Sequence, residues 1–484
     1  MKQTSVLAPA AVALASVVLG AATVVYVGWA SGSMMRVAVL PLVIALLALL
    51  TVDKRRLFLL IMLFRTIGDP IFDATRFSLG GVNIGAGAAL NALMILIALL
   101  FFIERPVTQS RPRIPLWVPL ILLVLVASVL RSPDRMNALR TMLVLVSYAA
   151  VFAIPFYVGR NNGDIRVAIR IVLLSSLLPV LYAFVDIALN WGGGGAEGFR
   201  LKSSFSHPNI FAFYLLLVVS LLLYRLKASM PLPTTGKRWL LGCYMVFLLG
   251  LLVLTKTRSA WLACFFIFGA YGALFERRML LYLVAVPLLA LLVPDVRDRL
   301  LDLTVTNDYD PYAQLNSFDW RVQIWKSGIA WMKPLSLLIG YGLDSFSFYS
   351  PQFFDLAGNI NFAAHNVYVQ WFFETGALGM LCLGWVFYCV LRMLGRNLET
   401  DKAGAVVMIL LVLAYLLVCA SDNMIDYLSF NWYFWFIVGT ACSTSLAKKP
   451  LPREMTTAHA PASPAPMPRR RRLVHATRSS GRVQ

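Results

Sequence analysis

Apolar runs of about 17 to 25 residues recur along nearly the whole chain, each long enough to cross a hydrocarbon core of roughly 30 Å as a helix. Read between charged breaks, they predict about 14 crossings from residue 8 to residue 446. The run near 57 to 67 is short enough to be re-entrant, which leaves about 12 as the lower count. The sequence therefore predicts an all-α integral membrane protein, a polytopic bundle of 12–14 transmembrane helices with one large outer loop containing amphipathic helices. With 59% hydrophobic and 14% charged residues, the 484-residue chain lies outside the range of soluble globular domains. The expected segments are 1–293 (N-terminal transmembrane helices), 294–366 (outer loop), 367–447 (C-terminal transmembrane helices) and 448–484 (disordered basic tail).

Orientation follows from basic residues in short loops. With Met1 in the cytoplasm, Lys54, Arg55, Arg56, Arg225, Lys227, Arg277, Arg278, Arg392 and Arg396 fall inside, and so does the tail with Arg469 to Arg472. A solvated tail beside anionic headgroups is favoured there over nucleic-acid binding. The six cysteines all fall within expected spans and read as small buried apolar residues. No His/Cys cluster with metal spacing occurs, so no metal and no cofactor is expected.

The outer side is unexpectedly basic. It holds Arg65, Arg131, Arg140, Arg200, Lys202, Lys256 and Arg258 against the usual topological bias, as a surface that receives anionic phosphates would. Of four histidines, two lie in the tail, and the other pair, His207 and His365, both map to outer span ends. The long loop is too aromatic for a solvated linker. Within it, Phe318, Val322, Trp325, Ile329 and Met332 are spaced 4, 3, 4 and 3, which predicts an amphipathic interfacial helix from Ser317 to Met332.

Four outer segments carry candidate chemistry. Arg200 and Lys202 precede His207-Pro208-Asn209, where the proline suits a first helical turn. Lys256-Thr257-Arg258-Ser259 forms a tight turn whose Arg258 fork can hold a pyrophosphate with two hydrogen bonds, although snorkelling to headgroups also explains such cations. Arg321 stands one helical turn from Trp325. Gly340-Tyr341-Gly342 leads toward His365-Asn366 and then Glu374, Gly376 and Gly379, and a helix N-terminus at His365 favours the neutral imidazole, a usable base. Capping is the plainer role for His365. The loop aspartates, Asp422 and Asp426 among them, show no spacing that singles out a glycosidase pair, and solubility explains most of them.

These segments, in this order, resemble the O-antigen ligase and polymerase superfamily over roughly residues 195 to 395. Lys256 departs from that pattern, which more often has a small residue there. The resemblance implies a lipid-linked glycan transferase of the inner membrane with a periplasmic active site and cytoplasmic termini. It implies metal-independent, inverting transfer of O-antigen polysaccharide from undecaprenyl pyrophosphate to lipid A-core oligosaccharide. It also implies His365 as base, with Arg258 and Arg321 stabilising the leaving group. Arg200, Lys202, His207, Asn209, Lys256, Trp325, Tyr341 and Asn366 are the expected substrate contacts. An O-antigen or exopolysaccharide polymerase would use the same donor, and a lipid-linked glycan transporter is the alternative from another class. Few ionisable residues lie mid-span, which weighs against transport.

Overall fold

The computed structural model describes residues 39–74, 77–79, 82–104, 117–158, 163–190, 199–228, 234–281, 283–284, 317–357 and 360–447. The span expected near 8 to 30, the part after Val284 of the span expected near 279 to 293, the first part of the long loop and the basic tail lie outside these residues. The described chain is almost entirely helical: α1 (Val39–Phe64, kinked at Asp53), α2 (Gly68–Ala74), α3 (Ala86–Glu104), α4 (Trp117–Arg131), α5 (Arg135–Val158), α6 (Gly163–Ser175), α7 (Leu177–Asn190), α8 (Pro208–Lys227), α9 (Thr235–Leu254), α10 (Arg258–Phe275), α11 (Ser317–Trp331), α12 (Pro334–Ile339), α13 (Ser345–Phe353), α14 (Val367–Gly395), α15 (Lys402–Val418) and α16 (Leu428–Ala447). Two short strands, β1 (Phe77–Leu79) and β2 (Val82–Ile84), pair antiparallel, a departure from helix that the apolar runs do not predict.

Seven helical stretches among the described residues are long and apolar enough to cross a membrane: α3, α5, the joined α6–α7, α8, α9, α10 and α14. Helix α8 is the axis of the packing. Every residue from Ile210 to Tyr224 is buried, as befits a helix that is apolar on all sides. It is surrounded by α9, α10, α15 and α16, while α5 packs between α3 and α16.

Helix ends fall into two groups. At one, Lys54 pairs with Glu104, Arg55 with Asp164 and Lys227 with Glu276, and the Tyr224 hydroxyl donates to Asp401. At the other, the segments around residues 65–69, 128–134, 200–209, 255–259, 340–343, 364–367 and 419–429 hydrogen-bond to one another. Every expected functional residue lies in this second group or on the α11–α13 segment docked to it. All the basic residues expected inside that form these ion pairs lie in the first.

Within the long loop the described residues begin at Ser317. Helix α11 forms where the spacing predicts it, but its buried side carries Ile324, Gly328 and Met332, with Trp320 and Trp331 packed alongside. Phe318 and Ile329 of the expected apolar stripe are 59% and 43% exposed. The helix is apolar on more than one side, and the tryptophans decide which side meets the protein. Trp331, Tyr341, Tyr349, Phe353 and Phe373 then form one ring cluster, with centroids 5.0 to 6.0 Å apart in the Trp331–Tyr341, Trp331–Tyr349, Tyr341–Phe373 and Trp331–Phe373 pairs. Such pairs contribute about 0.5–1.5 kcal/mol each beyond burial.

The Gly340-Tyr341-Gly342 segment crosses a kink in α14. The N–H groups of Tyr341 and Gly342 donate to the carbonyls of Phe373 (3.0 Å) and Glu374 (2.8 Å), and Arg131 Nε donates to the Gly340 carbonyl (3.1 Å). The Glu374 carboxylate faces the N–H groups of Asp344 and Phe346 at the start of α13, where the positive end of a helix dipole favours an acid. Glu374 thus ties the loop to the helix that begins beside His365.

Candidate active site

Two αL residues shape the site. His365 has φ 50° and Lys256 φ 52°, a conformation uncommon for residues other than glycine, which persists where surrounding structure enforces it. Around His365 that enforcement is explicit. Trp325 Nε1 donates to the Ala364 carbonyl (2.6 Å), the Asn366 side chain caps α14 by accepting from the N–H groups of Tyr368 and Val369 (2.9 and 3.2 Å), and Val367 N–H donates to the Cys419 carbonyl (2.8 Å). The imidazole is held at a sharp reversal between a buried alanine and a helix cap.

His365 is half-buried, and burial lowers its pKa below the ordinary imidazole value. The nearby Arg321 guanidinium lowers it further, the Asp422 carboxylate opposes this, and His207 lowers it. The expected base, one expected leaving-group cation and the second outer histidine therefore share one electrostatic neighbourhood, although 158 positions separate His207 from His365. Arg321 Nη1 donates to the Ser421 carbonyl (2.7 Å). Among the described residues no carboxylate pairs with this guanidinium.

Asp422 is the hub that the sequence reading passed over as a soluble loop acid. It accepts from Tyr427 Oη (2.6 Å), Ser259 Oγ (3.1 Å) and Asn209 Nδ2 (3.1 Å). The Asn209 carbonyl oxygen accepts in turn from Arg200 Nη2 (2.9 Å) and Thr257 Oγ1 (3.2 Å). Asn209 thereby relays between a cation and an anion, its amide orientation fixed by donors on one side and a carboxylate on the other. Arg200 Nε also reaches the Thr255 carbonyl (3.3 Å). Arg258 is the first residue of α10, next to the Ser259 that binds Asp422, and Lys256 stands two residues before it. Burial and the Asp422 carboxylate raise the Tyr427 hydroxyl pKa, which keeps it a donor.

Other expected contacts also bond within the protein. His207 caps α8, its Nδ1 accepting from Asn209 N–H (3.1 Å), so the capping role and the electrostatic one coexist. Lys202 is exposed, and its backbone N–H donates to buried Asp186 (3.0 Å). The Tyr341 hydroxyl accepts from Lys333 N–H (2.9 Å) and its ring belongs to the aromatic cluster; none of its contacts among the described residues reaches His365. Trp325 acts through the strap it places on Ala364. Trp325→Phe keeps the ring but deletes a bond worth about 1 kcal/mol. Turnover should fall about tenfold by the same order of free energy plus misorientation of His365, while thermal stability in detergent changes little; unchanged turnover in a steady-state assay would remove the strap from the mechanism.

The fold and this site define a polytopic membrane protein with a neutral imidazole and several guanidinium groups gathered at one end of its helices. Residues 243–384 match the family model described as O-antigen ligase. The matched region holds Arg258, Arg321, Trp325 and His365, whereas Arg200, His207, Asn209 and Asp422 lie outside it. No curated protein matches the chain. Among the described residues no group of three or more His, Cys, Asp or Glu is arranged to hold a metal ion.

Proposed function

We propose that the protein is an O-antigen ligase, transferring a glycan from an undecaprenyl pyrophosphate carrier to a sugar hydroxyl of lipid A-core oligosaccharide at the periplasmic face of the inner membrane. The observation that carries this reading is the common neighbourhood of neutral His365, Arg321, His207 and Asp422. His365 takes the proton of the acceptor hydroxyl. The freed oxygen attacks the anomeric carbon as the bond to the carrier's phosphate oxygen breaks, and the electron pair leaves on the pyrophosphate. That leaving group needs no proton, only charge compensation at a partly dehydrated surface, which Arg258 and Arg321 supply with support from Arg200. Attack from the face opposite the pyrophosphate inverts the anomeric centre. The proton on His365 then passes to solvent.

Purified protein in detergent, given undecaprenyl pyrophosphate-linked glycan and O-chain-free lipopolysaccharide without nucleotide, should extend the lipopolysaccharide. Extension of the carrier-linked glycan itself would instead mark a polymerase, since donor chemistry is shared and only the acceptor differs. In the same assay, activity should fall as pH drops through the His365 pKa, so the acid limb should lie below about 6.5. Arg321→Lys keeps the cation and should keep that limb; Arg321→Gln removes a charge that lowers the imidazole pKa, and should move the limb of its residual activity to higher pH. A limb unmoved by loss of that charge would separate His365 from the titration.

A further inference from the structure

The Arg65 side chain is 2% exposed, its Cζ 4.8 Å from the Phe72 ring centre and 5.5 Å from that of Trp432, and its Nη1 donates to Asp69 Oδ1 at 2.7 Å. Buried ion pairs of this kind are costly to desolvate and can often be replaced by apolar residues without loss of stability. Inside a membrane protein they mark function. What Asp69 does with its remaining acceptor capacity shows which function. Its Oδ1 also accepts from Ser429 Oγ (2.8 Å), and its Oδ2 takes a longer contact from Ser206 N–H (3.4 Å). Beside it, Ser204 Oγ donates to the Thr66 carbonyl (2.7 Å). Ser206 immediately precedes His207 and is three residues from Asn209. Ser429 is the second residue of α16, just after the turn that carries Asp422 and Tyr427. The four-residue step from Arg65 to Asp69 therefore touches both segments whose side chains meet in the Asn209–Asp422 relay.

We propose that Asp69, oriented by Arg65, is a positioning residue that sets the separation between the His207–Asn209 segment and the Asp422–Tyr427 turn. It touches no substrate. Arg65 holds the carboxylate in one rotamer, and the carboxylate ties the two segments so that Asn209 spans Arg200 and Asp422. The consequence for transfer rests on the ligase reading given above; the consequence for the two segments does not.

Two measurements on the full-length protein in detergent test it. In hydrogen-exchange mass spectrometry, Asp69→Ala should speed exchange at least fivefold in peptides covering 203–209 and 421–429, and leave 364–370 as in the wild type. Unchanged exchange in the first two, or a uniform rise everywhere, would overturn the proposal whatever reaction the protein performs. In the transfer assay, Asp69→Ala and Asn209→Ala should each lower kcat about tenfold, and the double variant should be no worse than about twentyfold. A hundredfold loss, the product of the two, would mean that Asp69 does not act through Asn209. The neutral pair Arg65→Gln with Asp69→Asn leaves no buried charge uncompensated and keeps an amide oxygen to accept from Ser206 N–H and an NH2 to donate to the Ser429 hydroxyl. It should recover activity to within about threefold of wild type and restore exchange protection, and a folded double variant as impaired as Asp69→Ala would also overturn the role. If the ligase reading fails, the wild type makes no product while the exchange result still stands; if the clamp fails, the wild type is active and the exchange result is lost.

Discussion

His365→Asn is expected to lower transfer about a hundred- to ten-thousandfold while leaving the melting temperature in detergent within a few degrees of wild type. Asparagine is the informative replacement because position 365 has φ 50°, which Asn tolerates and Ala does not; the backbone reversal survives and only the base is lost. A positioned general base contributes roughly 10²–10⁴-fold, and the other imidazole among the described residues, His207, is engaged through Nδ1 as the cap of α8. Arg321→Ala should cost about 10²–10³-fold, the scale of one removed electrostatic stabiliser of a developing anion. The measurement is product formed on lipopolysaccharide in a gel mobility assay. More than a tenth of wild-type turnover in folded His365→Asn would take the imidazole out of the reaction and with it the proposed mechanism.

The parts of this site that were legible in the sequence share one property: they are rare residue types in places that hydropathy alone can locate. Apolar runs set the helices, and once the helix ends are placed, two histidines and a few arginines stand out against the topological bias. Asp422 offered no such signal. It is one acid among several in short loops, and its meaning comes from Asn209, Ser259 and Tyr427 converging on it from positions up to 213 residues away. Arg65 stands out among the outer cations, but its partner Asp69 offers no signal of its own until Ser206 and Ser429 are seen against it. The packing of α11 on the protein was not legible, because spacing gives the period of an apolar stripe but not which further residues of the helix, here Ile324 and Gly328, find a partner in the fold. Tyr341 and Glu374 carry the resemblance to the family, and both also dock the loop against α14, a role that a motif does not show.

That docking leads to the second large effect. Gly340 (φ 68°, ψ −175°) and Gly376 (φ 68°, ψ −168°) adopt a backbone region essentially restricted to glycine, and they face each other where α12 meets the kink of α14. A Cβ on Gly340 would overlap the backbone of Glu374 and Thr375, and one on Gly376 would overlap that of Leu338 and Ile339. Neither obstacle is a side chain that can swing aside. Alanine at either position is therefore expected to cost about 3 kcal/mol or more, combining torsional strain with a backbone clash. The damage should travel along the connections already described. Separation of α12 from α14 breaks the bonds from Tyr341 and Gly342 to the Phe373 and Glu374 carbonyls, loosens the ring cluster around Trp331, and frees α11. Since α11 carries both Arg321 and the Trp325 strap on Ala364, transfer should fall more than a hundredfold although neither glycine touches the reacting groups. Gly384 supplies the control within the same helix, because nothing lies within 4 Å of a Cβ placed there, and its replacement by alanine should be neutral or stabilise by roughly 0.5–1 kcal/mol through helix propensity. Comparison of melting temperature and turnover across the three variants separates the two causes: if Gly340→Ala behaves like Gly384→Ala, the loop is not held by this contact, and Arg321 and His365 must be brought together by some other route.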